Sequence, residues 1–83
     1  MAGTVHTEAY LKLLHALVKV RRSAGLSQAQ LAQRLDKPAS FVGKYELGER
    51  RLDVIELLVV LKALEQEPTE FIQALELDLP ERL

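Results

Sequence analysis

Apolar residues recur along the chain at helical spacing, and no segment keeps the strict alternation of a β-strand. The clearest stripe follows the positions i, i+4, i+7, i+8 and i+11 and consists of Tyr10, Leu14, Leu17, Val18 and Arg21. We expect this first helix to end at residues 23–25, because Gly25 suits the left-handed position after a helix C-terminus.

Two later helices have the same start signal, a capping box. In the first, Ser27 is the predicted N-cap and Gln30 follows three residues later. In the second, Asp53 and Glu56 have the same spacing. A leucine on either side of each cap has the spacing of a hydrophobic staple, so two helix starts are well located.

The segment after the first capping box divides into two short helices. The first ends near Leu35, and residues 36–37 form a tight break. Pro38 lies in the first turn of the second helix, where its missing N–H costs nothing. This second helix is expected to run from 38 to 46 and to end before Gly48.

Two further helices complete the pattern. A helix over residues 54–64 is apolar on nearly every face, so we expect it to be central or covered on both sides. Pro68 opens a last helix, and the tail over residues 77–83 is irregular. The sequence therefore predicts an all-α, compact five-helix fold in a single domain over residues 1–83, with its core in residues 10–75.

Charge is divided unevenly along the chain. The formal net charge is −1, but residues 1–52 hold nine Lys or Arg and four Asp or Glu, which gives +5. Residues 53–83 hold two Lys or Arg and eight Asp or Glu, which gives −6. This distribution indicates a polyanionic partner for the first half only, although a chance asymmetry of a solvated surface is the alternative.

Several functional classes are disfavoured by composition. The chain has no cysteine, which excludes disulfides, thiolate metal sites and a cysteine nucleophile and suits the cytoplasm. His6 and His15 have no converging carboxylates, so we interpret them as ordinary surface residues. The longest apolar run, residues 57–61, is too short to cross a membrane, and the N-terminus does not resemble a signal peptide. We therefore predict no enzyme, no cofactor, no metal site and no membrane association.

Residues 27–46 have the layout of a helix-turn-helix unit, whose second helix fits the major groove of B-DNA. The unit contains LSQAQLAQRL at 26–35, then SFV at 40–42, KYE at 44–46, and finally Gly48 and Arg50. In these motifs and their spacing, the chain resembles the Cro and phage-repressor type of helix-turn-helix domain, the XRE family. The resemblance covers about residues 10–75 and implies a lambda-repressor-like fold and DNA binding.

The resemblance implies which residues face the DNA bases. Family members turn one face of the second helix, the recognition helix, toward base edges, and here that face carries Ala39, Ser40, Gly43 and Lys44. Ser40 and Lys44 are one helical turn apart and can point together. Lys44 can donate hydrogen bonds to guanine O6 and N7 or to a phosphate.

Two of these positions depart from the family pattern. Family members often have Gln or Arg in place of Ala39 and a polar residue in place of Gly43. Ala39 can touch only a thymine methyl group, and Gly43 has no side chain with which to read a base. Either Gly43 permits close approach of the backbone to DNA or shape readout contributes more, and we expect low intrinsic sequence discrimination.

Contacts to the DNA backbone are also implied by the resemblance. Gln28, at the start of its helix, is expected to bind a phosphate, and cations next to a recognition helix usually do the same. The predicted phosphate-binding residues are Gln28, Lys37, Arg50 and Arg51. The alternative is that these side chains are only solvated. Phe41 is either a core residue or partly exposed against the DNA backbone.

Arg21 lies on the apolar stripe of the first helix, where a lone arginine needs a partner. The resemblance places it against Glu46, at the end of the recognition helix. Such a buried pair fixes the angle of that helix more than it adds net stability. The alternative is that Arg21 extends outward and binds a phosphate.

These features predict a transcriptional regulator, specifically a repressor that binds double-stranded DNA as a homodimer and is associated with the nucleoid. One unit has a small footprint, so useful affinity needs two half-sites. Surplus apolar residues either form a two-fold interface or close the core of a monomer. They are Ile55, Val59, Phe71, Ile72, Leu75, Leu79 and Leu83.

The main alternative is a protein-binding module on the same fold. In that case the acidic C-terminal half and the apolar tail bind a protein partner, as in an antitoxin that holds a toxin, and DNA binding is secondary. The few base-reading groups at Ala39 and Gly43 favour this alternative, whereas the basic first half opposes it.

Overall fold

The chain folds into five helices in a computed structural model that describes residues 7–83. The prediction for His6 lies outside these residues. The helices are α1 (Glu8–Ser23), α2 (Gln28–Arg34), α3 (Ala39–Glu46), α4 (Val54–Ala63) and α5 (Pro68–Leu75). No strand occurs between residues 7 and 83, and the predicted all-α five-helix fold is confirmed.

Both predicted capping boxes are present. Ser27 Oγ accepts a hydrogen bond from the Gln30 backbone N–H at 3.0 Å, and Gln30 Oε1 accepts one from the Ser27 N–H at 2.8 Å. Asp53 and Glu56 make the equivalent pair at 2.7 and 3.0 Å. Each cap satisfies backbone groups that would otherwise lack partners, and such caps are typically worth about 1 kcal/mol.

Pro38 is the N-cap of α3 rather than a residue of its first turn, so that part of the prediction is wrong by one position. Its ψ of 152° is extended, and a residue with this ψ precedes a helix instead of belonging to it.

Within residues 7–83, five residues adopt the left-handed conformation with positive φ. Two are glycines, Gly25 at 76° and Gly48 at 82°. The other three have side chains: Asp36 at 57° in the break between α2 and α3, Glu65 at 59° after α4, and Glu76 at 49° after α5. Each of these residues closes the end of a helix, as left-handed residues commonly do.

All five helices contribute buried side chains to one core. The most deeply buried are Leu14, Leu17, Leu31, Val42, Tyr45, Val60 and Leu61. Phe71 and Leu75 of α5 also belong to this core, with only 7% and 5% of their surface exposed. Their assignment to a dimer interface is therefore wrong, because these two positions, four residues apart, form the inner face of α5.

Helix α4 is not covered on both sides, contrary to the expectation from its sequence. Val60 and Leu61 reach the core, but four apolar residues of the same helix remain exposed, with 40–70% of their surface accessible. We call these four the α4 stripe; they are Val54, Ile55, Leu58 and Val59. The sequence shows that these residues are apolar, but it does not show which element packs against each of them. The expectation that α4 is covered on both sides is wrong for this reason.

The residues after α5 run without regular structure to the end of the chain, as predicted. Lys12 Nζ donates a hydrogen bond to the Glu76 carbonyl at 3.2 Å and so fixes the start of this tail on α1. Leu79 and Leu83 are exposed in it. Among the helices within residues 7–83, none has the length and apolar character needed to span a membrane.

The two tyrosines provide an opposed pair of stability predictions. The Tyr45 hydroxyl is buried and has no hydrogen-bond partner among residues 7–83, whereas the Tyr10 hydroxyl accepts a hydrogen bond from the Leu52 N–H at 3.2 Å. Tyr45→Phe should raise the free energy of unfolding by about 1 kcal/mol and Tyr10→Phe should lower it by a similar amount. Urea denaturation followed by circular dichroism measures both, and the reverse order would contradict the assignment.

Candidate nucleic-acid interface

The two helices of the predicted unit are held together by their inner faces. Leu31 and Ala32 of α2 are buried against Val42 and Tyr45 of α3. Because Val42 and Tyr45 are three positions apart on one face of α3, the opposite face of this helix is left to the solvent. The turn over residues 36–38 joins the two helices through one left-handed residue, Asp36, and the extended N-cap Pro38.

The outer face of α3 carries the residues expected to meet DNA bases. Ala39, Ser40 and Lys44 are exposed there, and Gly43 is half-buried among them. The single acid of α3 is Glu46, whose side chain is only 6% exposed. The exposed face of α3 is therefore free of negative side chains and carries one lysine.

Gly43 has helical backbone geometry and is not required by a tight internal contact. A Cβ built there would meet only Gln28 Oε1, at 3.5 Å, which is an ordinary van der Waals distance. The fold could accept a side chain at this position. The glycine instead leaves the centre of the outer face flat, next to the side chain of Gln28.

Arg21 and Glu46 are brought together by the fold. Arg21 Nε donates to Glu46 Oε2 at 2.7 Å, and Arg21 Nη2 donates to Glu46 Oε1 at 3.1 Å. The third nitrogen, Nη1, donates to the Leu26 carbonyl at 2.8 Å. The hydrogen bonds to Glu46, with the negative charge of that carboxylate, raise the pKa of Arg21 above its usual value, so the guanidinium stays charged. One side chain thus links α1, the loop before α2 and the end of α3.

Gln28 also reaches the same carboxylate. Its Nε2 donates to Glu46 Oε1 at 2.8 Å, although Gln28 itself lies on the surface. This contact is not predictable from the sequence, because the two residues are 18 positions apart and no periodic rule relates them. The observed position of Gln28, beside the flat centre of α3, is compatible with the expected role at the DNA backbone.

Arg50 makes a bidentate ion pair with Glu56 instead of extending freely from its loop. Its Nη1 and Nη2 donate to the two oxygens of Glu56 at 3.0 and 2.6 Å, and Nη1 also donates to the Arg51 carbonyl at 3.1 Å. The sequence predicts the capping role of Glu56 but not its ion pair with Arg50. A phosphate contact by Arg50 therefore has to share or displace this carboxylate.

Phe41 lies between two cations at the edge of α3. The Arg50 guanidinium is 4.8 Å from the ring centroid and Lys37 Nζ is 5.6 Å from it, both within the range of cation–π attraction. The ring also makes an edge-to-face contact with Tyr45, at 5.8 Å between centroids. Phe41 is half-buried, so its ring is partly in the core and partly exposed.

Arg51 turns toward the start of α1, where its guanidinium lies 4.0 Å from the centroid of the Tyr10 ring. The structure therefore separates the two loop arginines: Arg50 lies against α3 and α4, and Arg51 lies against α1. Leu47 at the end of α3 is 70% exposed and Glu49 is exposed beside it. This edge of the surface is less basic than the sequence of its loop suggests.

Neither a metal centre nor a catalytic constellation stands out in the part of the chain that the structure describes. Residues 7–83 contain no group of three or more His, Cys, Asp or Glu side chains that could hold a metal ion. His15 is exposed on α1.

Comparisons with known proteins agree with this geometry. A family model described as helix-turn-helix matches residues 17–71. Among solved structures, the chain is similar to an XRE-family like protein from Pseudomonas syringae pv. tomato str. DC3000. The two share 41% sequence identity over 90% of this chain and 92% of that one, with a TM-score of 0.82. No curated protein is significantly similar to the chain.

The ion pair of Arg50 and Glu56 predicts an acid-sensitive contribution to folding. The hydrogen bonds from Arg50, and then the cap bond from the Asp53 N–H, lower the pKa of Glu56 from 4.5 to about 2. Because the pKa is lower in the folded than in the unfolded chain, this contribution is present above about pH 4.5 and is lost as the pH falls toward 2.

The Glu56 carboxyl should titrate near pH 2 in a carbon-detected NMR experiment. Arg50→Gln should move its pKa back toward 4.5, although the cap hydrogen bond keeps it below that value. Arg34→Gln, which removes a charge from α2 that does not contact Glu56, is the matched control. An unchanged Glu56 titration in Arg50→Gln would show that the pair does not form in solution.

Proposed function

Because this chain belongs to the XRE family of helix-turn-helix DNA-binding regulators, we propose that it is a dimeric transcriptional repressor. In this proposal α3 lies in the major groove of duplex DNA, with α2 across the backbone. The observation that carries it is the outer face of α3, which is exposed, free of acidic side chains and held in place by the ion pair of Arg21 and Glu46. Such a regulator acts in the cytoplasm, in association with the nucleoid.

Base recognition is assigned to the exposed centre of α3. Ser40 and Lys44 project from the same face one turn apart, and Lys44 is the strongest hydrogen-bond donor there. We assign Lys44 to a guanine, Ser40 to a neighbouring base edge, and Ala39 to a thymine methyl group. Gly43, which packing does not require, allows the helix backbone to approach the DNA closely.

Backbone contacts are assigned to the residues that border this face. Gln28 uses one N–H for Glu46 and has a second N–H for a phosphate. Lys37 lies at the start of α3 and is exposed. Arg50 and Arg51 stay in the proposed set with secondary roles, because each guanidinium already has a contact within the protein.

The second copy is proposed to bind at the α4 stripe, and Ile72, which is exposed on α5, is a further candidate for the interface. Four exposed apolar residues on one face of a short helix form a surface that favours a protein contact. Ile55 and Val59 also line a groove of about 260 Å³ whose opposite wall includes Phe41. A side chain of a second copy that entered this groove would touch α3 and α4 together. Leu79 and Leu83, exposed in the tail, remain candidates for the edge of the same interface.

A protein-binding module is the second candidate function. The same α4 stripe favours it, because an apolar surface next to an acidic half is also suited to a partner of different sequence, such as a toxin. In that case the stripe binds the partner, and the DNA contacts of α3 are secondary.

Selection of bound fragments from a random duplex library tests the DNA-binding function, at about 50 and about 200 mM salt. An enriched motif with two-fold symmetry and a steep loss of affinity at the higher salt is expected. Lys44→Ala should relax the preference at one base pair in each half-site, at a cost of about 1–3 kcal/mol. Lys62→Ala, the same change on the exposed end of α4, is the matched control. No enrichment for the wild-type chain would leave the protein-binding function as the better explanation.

The dimer can be tested without DNA. Ile55→Asp introduces a charge into the α4 stripe, so it should convert a dimer into a monomer in sedimentation equilibrium at micromolar concentration. Leu11→Asp places the same charge on an exposed apolar residue of α1, outside the stripe, and should leave the dimer intact. Equal effects of the two substitutions would argue against the α4 interface.

A further inference from the structure

Glu46 joins a buried ion pair to an exposed residue of the proposed DNA surface. Its Oε2 accepts a hydrogen bond from Arg21 Nε at 2.7 Å. Its Oε1 accepts two, from Arg21 Nη2 at 3.1 Å and from Gln28 Nε2 at 2.8 Å. The carboxylate is almost fully buried, whereas Gln28 lies above it on the surface.

We propose that Glu46 is a positioning residue for DNA binding, which holds the Gln28 carboxamide in one orientation, and that Arg21 acts on DNA affinity through Gln28 without touching DNA. The proposal rests on the DNA-binding function proposed above. In addition to setting the angle of α3, the pair of Arg21 and Glu46 then fixes the orientation of a side chain that contacts DNA.

The chemistry of the carboxylate determines which end of the amide faces it. An ionised Glu46 only accepts hydrogen bonds, so it requires the NH₂ group of Gln28 and not its carbonyl oxygen. The second N–H then remains available on the surface, and Oε1 lies beside Gly43, within 3.5 Å of where a Cβ would be. A glutamine held this way loses its rotational freedom on folding rather than on binding DNA, which favours affinity.

Arg21 makes this arrangement compatible with a phosphate nearby. An uncompensated carboxylate directly beneath Gln28 would repel the DNA backbone, and its burial would make the repulsion strong. The guanidinium of Arg21 contacts both carboxylate oxygens and cancels that charge. Loss of Arg21 therefore leaves Gln28 without a fixed orientation and places a negative charge at the proposed phosphate contact.

A double-mutant cycle separates this role from a purely structural one. The affinity for the duplex selected by the wild-type chain is measured for Arg21→Met, Gln28→Ala and the double variant. Each single substitution should weaken binding about tenfold, the value of one hydrogen bond to a charged group. If Arg21 acts through Gln28, the double variant is little weaker than either single variant. If Arg21 only sets the helix angle, the two losses multiply, and this result overturns the proposal.

Two controls keep the cycle interpretable. Arg22→Met removes the same charge from the neighbouring, exposed position of α1, and its effect should multiply with that of Gln28→Ala. Glu46→Gln replaces Arg21→Met in the cycle if the latter does not fold.

A second measurement uses the free protein. NMR should show slowed solvent exchange of the Gln28 side-chain NH₂ group, and this slowing should be lost in Glu46→Gln. Fast exchange in the wild type overturns the proposal. Failure of the wild type to bind any duplex overturns the proposed function, whereas binding with multiplicative losses overturns only this inference.

Discussion

The buried ion pair between Arg21 and Glu46 determines how the first three helices meet. Each of the three guanidinium nitrogens of Arg21 donates a hydrogen bond, two of them to Glu46 and one to the Leu26 carbonyl. The side chain of Arg21 therefore connects α1 to the loop before α2 and to the end of α3. Buried pairs add little net stability, because desolvation of both charges offsets their attraction, but loss of one partner typically costs about 3–5 kcal/mol. The ion pair adds a directional constraint on the outer face of α3 to the apolar packing of Val42 and Tyr45.

The features that were predictable from the sequence are those that depend on residues close together in the chain. A capping box involves residues three apart, so Ser27 and Asp53 located the starts of α2 and α4 correctly. The left-handed Gly25 ended α1 for a reason that is local to its own backbone. The fold class followed from the helical spacing of apolar residues, and the resemblance in the α2 and α3 motifs matched the family to which the chain belongs.

The features that the sequence did not reveal depend on the packing of distant segments. Phe71 and Leu75 look like surplus apolar residues until α5 is placed against α1, which buries them. From the sequence, Ile55 could belong to a two-fold interface or to the core of a monomer, and the structure shows it exposed on the open side of α4. Arg50 looks like a free cation until the loop brings it to Glu56, and no periodic rule predicts a contact across an irregular loop. At the candidate site, the residue types were therefore foreseeable but their existing partners were not.

The three left-handed residues with side chains within residues 7–83 place backbone strain at the ends of helices. Asp36, Glu65 and Glu76 each adopt a backbone conformation that costs a residue with a Cβ roughly 1–2 kcal/mol and costs glycine almost nothing. In a domain of this size, whose total stability is small, that cost is a substantial fraction. Glycine occupies the corresponding place after α1 and α3 without this cost, so the ends of α2, α4 and α5 hold backbone strain that the ends of α1 and α3 do not.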